Sequence, residues 1–451
     1  MQEQPKTPKA PSFLEFFVYW LKLGFISFGG PAGQISMMHQ ELVEKRRWIS
    51  EHRFLHALNY TMVLPGPEAQ QLATYIGWLM FGVRGGIVAG VLFVLPSLFI
   101  LSALTWVYLD NIEQPIMDAV LYGIGPAVTA IILFAAYRIG SKALSNNVLR
   151  VLAVLTLIVV YNFPMAFPYV VLSAGLIGFI GVKISPNSFT MGSHHGESKD
   201  SYGPALIDDD TPIPDHAKFK WSRLLGFAVV GVAIGVATMS LLSDPVLRDM
   251  GEFFTKAAMV TFGGAYAVLP YISDGGIASG WVTTEHMKVG MALGESTPGP
   301  LIMVVAFVGF VGAWSKEIFG PEALLLAGFA GASVATLFTF LPSFLFIFLG
   351  GPGVEATRGD LRFSAPLSAI TAAVVGAILN LGAAFARNTL LPDIDKIEKY
   401  DWLIFSISGV QIDLIALVIT IVAFIALFRF KVGIMTVLAA CAAIGLTTVL
   451  V

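Results

Sequence analysis

Apolar runs of about twenty residues alternate with short polar stretches along most of the chain. Nine runs read as ordinary membrane crossings: 84–109, 118–138, 148–163, 164–182, 221–243, 321–349, 363–386, 410–428 and 432–450. Four other apolar stretches, 13–47, 53–82, 252–270 and 284–314, are interrupted near their middles by Gly-Gly or Pro-Gly-Pro. Proline removes a backbone donor and clashes with the preceding turn, and glycine adds a flexible point. In lipid such breaks persist only where protein or a water-filled hollow satisfies the freed backbone groups.

The breaks recur in order. Ser27-Phe28-Gly29-Gly30-Pro31, Trp48, Leu64-Pro65-Gly66-Pro67 and Leu95-Pro96-Ser97 are answered by Thr261-Phe262-Gly263-Gly264-Ala265, Trp281, Thr297-Pro298-Gly299-Pro300 and Leu341-Pro342-Ser343. From Trp to the first Pro of Pro-Gly-Pro is 17 positions in both copies. The expected organisation is a polar tail (1–12), a first repeat (13–182), a polar cytoplasmic linker (183–220), a connecting helix (221–243) and a second repeat (244–451). Residues 1–12 lack a signal-peptide pattern, so insertion by the first hydrophobic segment is expected. The linker is too poor in apolar residues to fold alone, and His194-His195 within it reads as solvated rather than metal-binding.

Charge orients the segments. If each broken segment enters and returns as a hairpin, Lys45, Arg46, Arg47, Arg53, Arg84, Arg138, Lys142, Arg150 and Lys183 share one side with the linker. Asp110, Glu113, Asp118, Asp244 and Asp274 fall on the other. Single kinked crossings would turn the Lys45-Arg46-Arg47 cluster outward. The fold class expected is an all-α polytopic membrane protein with two homologous halves in inverted-repeat orientation and re-entrant or broken helices.

Composition agrees: 56% of the 451 residues are hydrophobic and 13% charged. The net charge of −3 gives no footprint for nucleic acid, and the single cysteine, Cys441, excludes an internal disulfide. No Walker A loop, nucleophile elbow or zinc-protease motif occurs, so an enzyme is not expected, nor a metal or other cofactor.

A helix starting inside the membrane presents free N–H groups and a partial positive charge, which together make an anion site without charged side chains. Pro31, Pro67 and Pro300 read as such starts. The substrate-binding candidates are therefore Ser27, Phe28, Gly29, Gly30, Pro31, Pro65, Gly66, Pro67, Thr261, Phe262, Gly263, Gly264, Pro298, Gly299 and Pro300. The hydroxyls of Ser27 and Thr261 fit either oxyanion donation or capping of the preceding helix. Coupling or gating candidates are Glu68 and Gln71 after the first Pro-Gly-Pro, Glu295 before the second, and Lys22 and Lys256, each six positions before the repeated Phe. Leu301 stands where Glu68 does, so the halves are not equivalent. Gln34, Asn59, Gln70 and Ser296 could line a hydrated path.

At these residues the chain resembles the long-chain, two-domain members of the chromate ion transporter family. The resemblance rests on Ser27 through Pro31, the basic cluster before Trp48, Leu64 through Glu68 with Gln71 and Gly77, Gly82, Gly85, Phe93 through Pro96, and the weaker copy from Phe262 to Pro300. It implies a multi-pass plasma-membrane protein that exports chromate, with sulfate as a competing oxyanion. The partners implied are the oxyanion and the lipid bilayer, with a homodimer left open. A sulfate transporter and an anion channel are the alternative readings. Ala265 in place of Pro31 departs from symmetric use of the halves.

Overall fold

The computed structural model of the protein describes residues 8–28, 30–163, 166–184, 202–212, 214–262, 264–356, 364–391, 404–407 and 410–447. Gly29, Gly263, the His194-His195 pair and Asp393 through Asp401 lie outside the described residues.

The first half contains α1 (Phe13–Ile26), α2 (Gly30–His39, continued by a π-helical stretch Gln40–Lys45), α3 (Glu51–Val63), α4 (Glu68–Asp110), α5 (Pro115–Ala143), α6 (Asn147–Asn162) and α7 (Phe167–Ile184). Then come α8 (Trp221–Leu241), α9 (Pro245–Met259), α10 (Ala265–Ala278), α11 (Thr284–Ser296), a 3₁₀ turn Leu301–Met303 running into α12 (Val304–Ser315), α13 (Leu324–Ala356), α14 (Ser364–Leu390), α15 (Leu414–Phe428) and α16 (Ile434–Thr447). Among the described residues six helices are long and apolar enough to cross a membrane: α4, α5, α7, α8, α13 and α14. The molecule is a helical multi-pass membrane protein. One departure from the all-helical expectation is an antiparallel pair of four-residue strands, Ile404–Ile407 with Val410–Asp413. The crossing expected from residue 410 therefore starts at Leu414, where the Asp413 side chain caps the helix.

The broken segments fold back on themselves. Arg46, at the far end of the α2 segment, returns to Glu15 near the start of α1 at 3.3 Å, and the rings of Tyr19 and Trp48 meet at 5.5 Å. Tyr60 of α3 lies against Tyr75 of α4 at 5.6 Å. In the second half Phe253 of α9 stacks on Tyr271 of α10 at 5.0 Å. Gly290 of α11 packs so tightly on Phe307 that an added Cβ would come within 2.6 Å of its ring.

A second reversal is hidden inside α4. Phe81 and Gly82 leave helical geometry, Gly82 at φ +63°, and the chain turns sharply. Gly77 and Gly85 then face each other so closely that a Cβ on either would strike the other's carbonyl oxygen. Gly309 and Gly331 make the same clasp between α12 and α13. From clasp to helix proline is 11 residues in both halves, Gly85 to Pro96 and Gly331 to Pro342.

The polar stretch docks where it is described. Leu206 and Ile207 donate to the carbonyls of Arg47 and Trp48 at 2.9 and 3.0 Å, and Ser50 N–H returns to Ile207 at 2.9 Å. His216 sits 2.8 Å from the Trp78 carbonyl and edge-on to its ring. Apolar side chains cover the outside: Val229, Val232 and Val236 of α8 and Leu172 and Leu176 of α7 are exposed, as lipid-facing residues are.

Candidate functional site at the paired helix breaks

Helices that begin at the outer ends are capped by side chains. Ser12, Ser50, Asn146, Asp244 and Thr283 each accept from an N–H of the first turn. The starts of α5 and α8 lack such caps, but Pro115 and Trp221 there are exposed to surroundings that can serve instead. The starts inside the molecule differ. α4 begins after Pro67, α10 after Gly264 and the Leu301–Ser315 helix after Pro300, none with a side-chain cap, although Ala69, Gln70, Ala265, Leu301 and Ile302 are all buried. Buried first-turn donors without a cap form a standing demand for an acceptor.

The breaks are joined across the halves. Gly66 N–H donates to the Thr261 carbonyl at 2.7 Å, and Gly299 N–H donates to the Ser27 carbonyl at 2.9 Å. Each Pro-Gly-Pro turn thus holds the Gly-Gly break of the opposite half. The Gln34 amide reinforces one junction, donating to the carbonyls of Ser27 at 3.2 Å and Gly299 at 2.6 Å. The Gln71 amide braces its own turn by donating to Pro65 at 2.8 Å. Gly30, Gly66, Gly264 and Gly299 have φ of +65°, +129°, +93° and +109°, a region where side chains are strained. The glycines are there because the chain turns left-handed at every break. α10 also packs on the Leu301–Met303 turn, linking the two junctions.

Two expectations change. The backbone donors of Gly66 and Gly299 are spent on Thr261 and Ser27, so these glycines fasten the halves instead of presenting N–H groups to a solute. Free donors lie one step further on, in the first turns after Pro67 and Pro300. The Thr261 hydroxyl donates back to the Ala257 carbonyl at 2.7 Å, the capping alternative, whereas the Ser27 hydroxyl is buried and unpartnered.

The remaining candidates divide by position. Pro31 is the second residue of α2, Pro65 and Pro298 precede the two turn glycines, and Phe262 is half-buried beside Thr261. Phe28 is 38% exposed and turns away from the packed junction. Glu68 opens α4 and is half-buried, its Oε1 3.9 Å from where a Cβ on Gly264 would stand. Glu295 accepts from the Tyr266 hydroxyl in the first turn of α10, with the Arg138 guanidinium 6.0 Å from the Tyr266 ring. The lysines do not join the site. Lys22 is exposed, and Lys256 is 62% exposed and paired with Glu252 one turn away at 2.5 Å. The Glu252–Lys256 spacing was the readable sign of a surface pair.

Sequence reasoning left out two groups. Ser97 and Ser343, in the repeated Leu-Pro-Ser phrases, sit against Gly299 and Gly66 with unpartnered hydroxyls. Arg53 and Glu355 form a buried ion pair between the halves at 2.8 Å, with Tyr75 donating to the same carboxylate. The repetition of Leu-Pro-Ser could have revealed the first group. The second leaves no local signal, because its partners are 302 positions apart. Among the described residues no cluster of His, Cys, Asp and Glu is arranged to hold a metal ion.

Comparison with known proteins adds an independent line. The family model described as chromate transporter matches residues 14–179 and 248–446. The chain is 29% identical over 389 residues to a chromate transport protein of Cupriavidus metallidurans, covering 85% of each. It is 30% identical over 372 residues to a chromate transport protein of Pseudomonas aeruginosa, covering 82% of this chain and 80% of that one. An uncharacterized transporter of Bacillus subtilis, YwrA, is 25% identical over 169 residues, which is 37% of this chain and 93% of that protein. No solved structure matches.

Proposed function

The chain belongs to the chromate transporter family, and we propose that it is a secondary transporter that exports chromate across the plasma membrane. The observation that carries this reading is the reciprocal junction of the breaks. Two cross-half hydrogen bonds hold uncapped, buried helix starts together at the centre of a bundle whose outside is apolar. A tetrahedral dianion is satisfied by several converging N–H and O–H donors, without a matching fixed positive charge. Ser27 and the first turns after Gly30, Pro67, Gly264 and Pro300 are the proposed ligands.

The repeat is read as inverted, with boundaries near 13–182 and 244–451. Two contacts support this. The start of α3 meets the end of α13 through Arg53 and Glu355, while the start of α11 meets the end of α4 through His286 and Tyr108, rings 5.9 Å apart. Trp48 and Trp281 set Arg53 and His286 at matching places in the repeat, and α13 runs antiparallel to the second part of α4 (Gly86 against Phe348, Phe99 against Phe329), so the equivalent starts of α3 and α11 lie at opposite ends of that helix pair. YwrA, about the length of one half, fits a half as the elementary unit.

Glu68 is the proposed coupling carboxylate. It stands beside the Gly264 break, where its negative charge competes with an anion at the same helix start. With Leu301 at the equivalent place, only one junction carries this competition. The proposed function is transport rather than catalysis.

Labelled chromate and sulfate uptake into proteoliposomes, with and without a pH gradient, tests the reading. Chromate accumulation above its external concentration, dependent on the gradient, is expected. Flux that stops at equal concentrations would establish a channel instead, and preference for sulfate would make chromate a mimic. Absence of flux for both anions would remove the transport reading.

A further inference from the structure

The Leu-Pro-Ser phrases lie on α4 and α13, outside the breaks proper, yet they end at the junctions. Ser97 Oγ is 2.8 Å from the place a Cβ on Gly299 would occupy, and Ser343 Oγ is similarly set against Gly66. Ser97 is 1% exposed and Ser343 is fully buried, and both hydroxyls lack a partner.

Ser102 on α4 and Thr336 on α13 are also buried without a partner, but Ser97 and Ser343 are the ones that stand beside break glycines. A helical Ser or Thr ordinarily donates back to the carbonyl four residues earlier. Thr105 does so to Leu101 at 2.6 Å on α4, and Ser333 and Thr339 do so to Phe329 and Ala335 at 2.7 Å on α13. Ser97 and Ser343 make no such bond. The glycines beside them do not satisfy them either, because both N–H groups are already given to the opposite half. Each hydroxyl is thus a buried donor held at a junction with nothing to donate to, a costly arrangement unless something else binds there.

We propose that Ser97 and Ser343 are substrate-binding residues, one contributed by each half, that donate their hydroxyl protons to oxygens of a tetrahedral oxyanion. This rests on the transport reading and deepens it. It gives each half one such hydroxyl, while Glu68 makes the site one-fold in charge. Neutral hydroxyl donors suit a dianion that must be released again, since they satisfy its oxygens without the deep well a buried guanidinium would create. The Ser27 hydroxyl, also buried and unpartnered at the Gly299 junction, is a third donor of the same kind.

The test uses the full chain in lipid nanodiscs and proteoliposomes, with Ser97→Ala, Ser343→Ala and the double variant. Chromate and sulfate binding are measured by calorimetry, uptake by radiolabel, and ligand-free stability by thermal unfolding. Each single variant is expected to bind chromate about tenfold more weakly and the double variant about a hundredfold, one charge-assisted hydrogen bond being lost per hydroxyl. The ligand-free midpoint is expected to stay level or rise, because an unsatisfied buried hydroxyl has been removed. A packing role predicts the reverse, a lower midpoint with unchanged affinity, and that result overturns the assignment. Wild-type affinity in the double variant overturns it too while leaving the transport reading intact. A wild-type chain that neither binds nor moves either anion overturns both.

Discussion

Gly30 and Gly66 share a left-handed backbone but not their surroundings. A Cβ on Gly30 would meet nothing within 4 Å, whereas one on Gly66 would strike the Ser343 hydroxyl and the Gln71 amide. Gly30→Ala therefore carries only backbone strain, about 1–2 kcal/mol. Gly66→Ala adds overlap with side chains that hold the turn, about 1–3 kcal/mol more. Thermal unfolding in detergent should rank Gly66→Ala clearly below Gly30→Ala; equal losses would mean that the junction around Gly66 is looser than its geometry. Glu68 has a different signature. Glu68→Gln keeps the size and removes the ionisable group, so the expected outcome is folded protein whose chromate uptake no longer varies with pH. A pH profile that matches wild type would leave Glu68 as a partner of the helix dipole alone. The glycines and prolines are legible in the sequence because few other residues sustain such turns in lipid. Their partners are not legible, since a bond from Gly66 N–H to the Thr261 carbonyl involves two backbones and leaves no side-chain trace.

Among the elements, the glycine clasps decide how closely each half folds up. Gly77 against Gly85, and Gly309 against Gly331, bring helix backbones into contact, where even one methyl group meets a carbonyl oxygen. Gly77→Ala and Gly331→Ala should each cost about 1–3 kcal/mol, seen as a lowered unfolding midpoint or reduced yield of folded protein. Gly226→Ala on α8 is the contrast: nothing lies within 4 Å, so alanine should be neutral or stabilising by up to about 1 kcal/mol. Similar losses at all three positions would argue against the clasps. Hydropathy located most of the crossings to within a few residues, because lipid imposes a length on an apolar helix. Hydropathy alone does not show the reversal at Gly82, where the apolar run continues to Arg84; the charge of Arg84 is what ends segment 53–82 there and starts the next crossing at 84. Nor could hydropathy show which face Lys22 and Lys256 occupy, since an apolar stretch reads alike whether its neighbour is lipid or another helix.

For the molecule as a whole, the question is what holds two related halves as one body. The reciprocal bonds at the breaks are backbone bonds, beyond reach of simple substitution. The Arg53–Glu355 pair is accessible to it: both residues are at most 4% exposed, one in each half, and Tyr75 adds a hydrogen bond to the carboxylate. Removing one partner strands the other charge away from water, typically at about 3–5 kcal/mol, whereas replacing both by apolar residues restores most of that. A chain opened within the polar stretch 185–201 and expressed as two pieces should reassemble, because the two break junctions and this ion pair all lie outside that stretch. Arg53→Met in one piece should sharply reduce co-purification of the other, and Glu355→Leu in the partner piece should largely recover it. If Arg53→Met leaves assembly unchanged, the pair is incidental to the union of the halves, and the reciprocal turns at Gly66 and Gly299 carry that union without it.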